Sequence, residues 1–157
     1  MNFLERKTIL YRIISAILLL ISLGMTAFAL SQIILLKPDD VVLMLIAISV
    51  TSLFAILETV FILKGGRKQS YLDKIAFNEN KHVNNVPLIA VIVGTVFGFG
   101  LLSLGIAVYL TREEVLNKCA MLIVMSISVY LLVNCAIYFF YLFLFRNKPL
   151  DLRDLIK

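Results

Sequence analysis

Four stretches of this chain are long, apolar and nearly free of charge, and they restrict what it can fold into more than any other feature. Residues 13–36, 86–110 and 119–145 contain no Asp, Glu, Lys, Arg or His, and residues 41–63 contain only Glu58. About 20 apolar residues in a helix cross the hydrocarbon core of a bilayer. No water is available there, so every backbone amide must be paired inside its own segment, and runs rich in Leu, Ile, Ala and Phe achieve this as helices. A membrane barrel would instead show alternating segments of about ten residues, which the sequence lacks.

The expected fold is an all-α integral membrane protein, one membrane domain whose four transmembrane helices form a compact bundle of two helical hairpins. The spans fall at about 13–36, 41–63, 87–110 and 119–145, with a central loop at 64–86 and a tail at 146–157. Composition agrees: 61% of the residues are apolar and 16% charged, against roughly 45–50% and 25% in soluble domains.

Orientation follows from Lys and Arg. Arg6, Lys7 and Arg12 precede the first span; Lys64, Arg67, Lys68, Lys74 and Lys81 lie in the central loop; Arg146, Lys148, Arg153 and Lys157 follow the last span. Twelve of the 15 basic residues thus fall on one side, leaving Lys37, Arg112 and Lys118 for the other. The excess of positive charge in short loops marks the cytoplasmic face, so both termini are expected inside, in the plasma membrane. The net charge of +5 points to membrane lipids, since the basic residues flank the spans and each contributes about 1 kcal/mol of attraction to anionic headgroups. Arg67, Lys68, Lys74, Arg146 and Lys148 are the expected headgroup contacts, and nucleic acid is not an expected partner. Met1 to Ala29 has the outline of a signal peptide ending in Ala27-Phe28-Ala29, but the apolar run continues to Leu36 and is read as a span. Cys119 and Cys135 lie about 24 Å apart along one helix, beyond disulfide reach, and are read as small packing residues.

Partial repetition suggests related hairpins. Leu20, Ser22, Leu23 and Gly24 recur as Leu101, Ser103, Leu104 and Gly105, and Leu45, Ile46 and Ser49 recur as Leu122, Ile123 and Ser126. Duplication and chance matching of apolar runs both account for this. Gly65-Gly66 is expected to end the second helix in a flexible corner, before a two-turn surface helix over residues 70–77. Residues 78–85 read as loop up to Pro87, which suits the first turn of the third span. The tail after Pro149 reads either as a short amphipathic helix or as a frayed end.

Ala90, Gly94, Gly98 and Gly105 share one face of the third span, and Ala47, Thr51, Ala55 and Thr59 share one face of the second. Lipid offers no hydrophobic drive for helices to associate, so close approach over small residues is how packing energy is gained. The two faces are expected either to pack on each other or to receive a partner. Glu58 belongs to the same face as Thr51 and Ala55. An intramembrane carboxylate is a functional candidate by default, although Lys64 is only about 9 Å along the helix, near enough for pairing with Lys64 or Arg67 at the interface. Asn134 would sit beside Glu58 if the hairpins are duplicates. Tyr138, Phe139, Phe140, Tyr141, Phe143 and Phe145 read as an interfacial aromatic belt.

No His lies in a span, and H-E-x-x-H, G-x-S-x-G, phosphate-loop and Cys-x-x-Cys patterns are absent, so the parts for metal hydrolysis, acyl transfer and thiol redox chemistry are missing. Catalytic residues, metal and cofactor are not expected, and the chain is not read as an enzyme. The expected role is contact: an accessory, assembly or protective (immunity-type) subunit of a membrane complex, with another membrane protein or a second copy as partner. The alternative is a small oligomeric transporter or channel subunit using Glu58 and Asn134.

Overall fold

The computed structural model describes residues 3–63, 65–78 and 82–146, and side chains at 61–70 lie outside the description. Five helices follow in order: α1 (Phe3–Leu36), α2 (Val41–Leu63), α3 (Gly65–Ala76), α4 (Asn85–Thr111) and α5 (Val115–Phe145). Four of them, α1, α2, α4 and α5, are long and apolar enough to cross a membrane. The description does not include the tail beyond residue 146, and the two readings of it fall outside.

The long helices overrun the charge-free stretches. α1 begins at Phe3 rather than near residue 13 and, at 34 residues, is about 51 Å long, well beyond the roughly 30 Å hydrocarbon core. Outside the core a polar residue no longer opposes helix, so Arg6, Lys7 and Arg12 simply continue it. The Lys7 ammonium donates to the Leu144 carbonyl at 2.8 Å, satisfying an acceptor in the last turn of α5.

The turn between α1 and α2 is set by local chemistry. Lys37 adopts φ 45°, the left-handed conformation that commonly stops a helix, and Pro38 follows. Asp40 caps α2, its Oδ1 accepting from the amides of Val42 at 2.9 Å and Leu43 at 3.3 Å. α3 and α4 are joined by a tied loop: Asn84 returns its amide to Ala76 O at 2.9 Å and its side chain to Ile75 O at 2.7 Å. Pro87 stands in the first turn of α4.

α5 is the hub. It packs extensively on α4 and α1 and also touches α2, while α2 rests mainly on α1. α2 and α4 make no substantial contact, so α4 has α5 as its one long neighbour and the bundle is open on that side. Burial follows: 39% of the apolar window of α5 is covered, against 11% of that of α4. Facing pairs show both packings to be antiparallel. Gly94 meets Cys135, Gly98 meets Leu132 and Gly105 meets Met125, while Tyr11 meets Tyr141 and Thr26 meets Ser126.

Two apolar cores result. One, at the end bearing α3, gathers Tyr11, Leu72, Ala76, Ile137, Tyr141 and Phe145. The other gathers Ala29, Ile33, Ala47, Cys119, Leu122 and Met125 at the opposite end.

Two local expectations change. Gly65 and Gly66 lie within α3, which has 12 residues rather than two turns. Glycine's helix penalty of about 1 kcal/mol is offset by docking farther along, where Tyr141 donates to Asp73 Oδ1 at 2.8 Å and Leu72 and Ala76 enter the core. The small-residue faces of α2 and α4 do not meet, because α5 stands where the partner face was expected.

Candidate functional site

Between the two apolar cores lies a polar layer. Glu58 on α2 is fully buried, with Ser22, Thr26, Thr51 and Ser126 buried at nearby levels. Side chains on a helix lean toward its N-terminus, so the Glu58 carboxylate sits deeper than its own backbone. There it meets α1: the Thr26 hydroxyl lies 3.4 Å from Oε1 and 3.5 Å from Oε2, and Ser22 stands beside the carboxylate; the expected pairing with Lys64 or Arg67 falls outside the described residues. Thr26 also donates to Ser22 O at 3.1 Å and shares a 3.1 Å hydroxyl contact with Ser126 on α5. Three helices thus contribute to one cluster.

Most hydroxyls elsewhere are absorbed by their own helix. Ser49 donates to Leu45 O at 2.8 Å, Thr51 to Ala47 O at 2.8 Å, Thr59 to Ala55 O at 2.8 Å and Ser128 to Val124 O at 2.7 Å. Thr26 stands apart because its hydroxyl also reaches two other helices.

The expected residues divide accordingly. Ala47 and Thr51 are buried, Ala55 is half-buried and Thr59 is exposed. On α4, Gly98 and Gly105 are buried and Gly94 half-buried against α5, while Ala90 is exposed. Those glycines are consumed inside the chain, so they are not a free surface. Asn134 donates to the Tyr130 carbonyl of its own helix at 2.9 Å, and Tyr130 in turn packs edge-on against Phe54 of α2 at 5.5 Å. Lys74 and Arg146 are exposed; the side chains of Arg67 and Lys68, and all of Lys148, lie outside the described residues. The aromatic belt is mixed, with Tyr138, Tyr141 and Phe145 in the core and Phe143 exposed.

The residues hidden from sequence reading are Ser22, Thr26 and Ser126. A signal existed: Ser22 and Thr26 are one turn apart on α1, and Ser126, Tyr130, Asn134 and Tyr138 recur every four residues on α5. The repeat, by contrast, does not extend to surroundings. Ser22 is buried and its match Ser103 exposed, and Gly24 is in open space whereas Gly105 is tightly packed.

Among the described residues no group of three His, Cys, Asp or Glu is placed to hold a metal ion. An apolar cleft of about 290 Å³ opens between α1, α4 and α5, lined by Leu18, Thr95, Phe99, Leu132, Ala136 and Phe139. Comparison with protein-family models, with curated proteins and with solved structures returns no match.

Proposed function

We propose that the protein is a plasma-membrane subunit that acts by contact, as an accessory, assembly or protective component of a membrane complex. In this reading its two helical hairpins place both termini in the cytoplasm. The observation that carries it is the open bundle. Among the long helices α4 rests on α5 alone, and its outward face, including Val93, Val96, Phe97, Ser103 and Leu104, is exposed. Gly100 on that face would meet nothing within 4 Å even with a methyl group added. Small residues let a neighbouring helix approach closely in lipid, so this face suits a transmembrane helix of another protein.

Extraction in native lipid followed by mass measurement tests the reading. A complex with a second membrane protein is expected, and its loss in Gly100→Phe would place α4 at the contact. A lone monomer would end the proposal, and a complex of identical chains would replace the partner with a second copy. Orientation is tested separately: single cysteines at Asp40 and Glu113 are expected to react with an impermeant reagent outside intact cells, and those at Lys68 and Lys157 to be protected. Labelling at position 68 would reverse the topology.

A further inference from the structure

The apolar cleft between α1, α4 and α5 continues toward the end of the molecule that bears α3. On α4, Leu88, Thr95 and Phe99 recur at spacings of seven and four residues and share one face; on α5, Ala136, Phe139, Phe143 and Arg146 do so at spacings of three and four. Thr95, Phe99, Ala136 and Phe139 line the cleft. Leu88, Phe143 and Arg146, with Asn85, line a second cavity of about 580 Å³. The two cavities therefore open one after the other on the same side of α4 and α5.

The cleft is dry. Its one hydroxyl, that of Thr95, donates to the Val91 carbonyl of its own helix at 2.8 Å, so water would lack the roughly two to four polar partners that hold it in a cavity. Left empty, the walls would forfeit dispersion contacts. Val129 and Phe139 bound the cleft about 15 Å apart along α5, so its volume of about 290 Å³ corresponds to a channel roughly 20 Å² in cross-section, against about 80 Å² for a helix 10 Å across. A transmembrane helix is too broad to enter, and a single hydrocarbon chain is not.

The second cavity carries the polar groups. The exposed Arg146 guanidinium and the Asn85 side chain border it. The Asn84 amide turns back to Ile75 O and does not cap α4, so the positive end of that helix adds to the same sign of charge. Asn85 and Arg146 each stand ten residues from Thr95 and Ala136 in the cleft, about 15 Å, which is half of the roughly 30 Å hydrocarbon core. We propose that this groove holds one anionic phospholipid of the leaflet at the α3 end, its phosphate against Arg146 and Asn85 and an acyl chain lying in the cleft over Ala136. The chain supplies the packing that α1 and α4, which make no substantial contact with each other, lack between them. Phe97 and Gly100 face another side of α4, so the inference stands whether or not the protein has a protein partner.

Because the sequence contains no Trp, single Trp reporters test the site in the full chain reconstituted in phosphatidylcholine vesicles. Phe99→Trp, at a position 58% exposed, reports on the cleft, and Phe97→Trp, at one 61% exposed, reports on open lipid. Phosphatidylglycerol with a brominated acyl chain should half-quench the Phe99→Trp reporter at about fivefold lower mole fraction than brominated phosphatidylcholine, the ratio supplied by about 1 kcal/mol at Arg146. The Phe97→Trp reporter should not distinguish the two lipids. Adding Arg146→Gln should abolish the preference, and Arg112→Gln, the same charge change at the opposite end, should preserve it. Equal quenching by the two lipids at position 99, an equal preference at position 97, or a preference that survives Arg146→Gln would overturn the proposal.

Discussion

A methyl group added at Gly105 would lie 2.7 Å from Met125 Cγ, and one at Gly98 would lie 2.9 Å from Leu132 Cδ2. Met125 is itself buried and has little room to retreat. Gly105→Ala is therefore expected to cost about 1–3 kcal/mol, as overpacking does, whereas Gly100→Ala, facing open space, should be neutral or gain up to about 1 kcal/mol of helix propensity. Unfolding of the two variants in the same detergent decides this, and equal stabilities would remove the close-approach argument. Lys37 offers the opposite experiment. Its φ of 45° is strained for a residue with a Cβ, so Lys37→Gly is expected to stabilise by about 0.5–1 kcal/mol, measured in the same way.

At the scale of elements, α3 is held by what it touches. Removing the phenol in Tyr141→Phe leaves the Asp73 carboxylate without its 2.8 Å donor and should loosen α3 by about 1 kcal/mol, seen as faster amide exchange over 71–76 with the exchange of α4 unchanged. The four long helices were legible in the sequence because apolar length is a local property, read one segment at a time. The extent of α3 was not, since its glycines oppose helix locally and only contacts with α5 outweigh them. Neighbour choice was equally hidden: the glycine face of α4 announced close packing, but nothing within α4 indicates that Leu132 and Met125 of α5, rather than Thr51 of α2, would fill it.

For the whole molecule, the hub arrangement predicts unequal tolerance to truncation. Ile137→Ala, at a position 1% exposed, should destabilise by on the order of 2 kcal/mol through lost packing, while Ile92→Ala on the exposed side of α4 should change little; chemical unfolding in micelles separates them. The polar layer was half legible. Glu58 stood out as the lone charge within a span, but its hydroxyl neighbours on α1 did not, because nothing within α2 indicates which helix its carboxylate will meet. Ser22, Thr26 and Ser126 were lost among hydroxyls such as Ser49 and Thr59 that serve only their own helices. The hub also imposes an order on biogenesis. Chains emerge from the ribosome N-terminus first, so α1 and α2 enter the bilayer carrying Glu58 before α5 exists to enclose it. Until Ser126 and Tyr130 arrive, the carboxyl is covered from α1 alone, by Ser22 and Thr26. A product truncated before α5 therefore carries Glu58 with one side of its polar layer, that of Ser126 and Tyr130, missing.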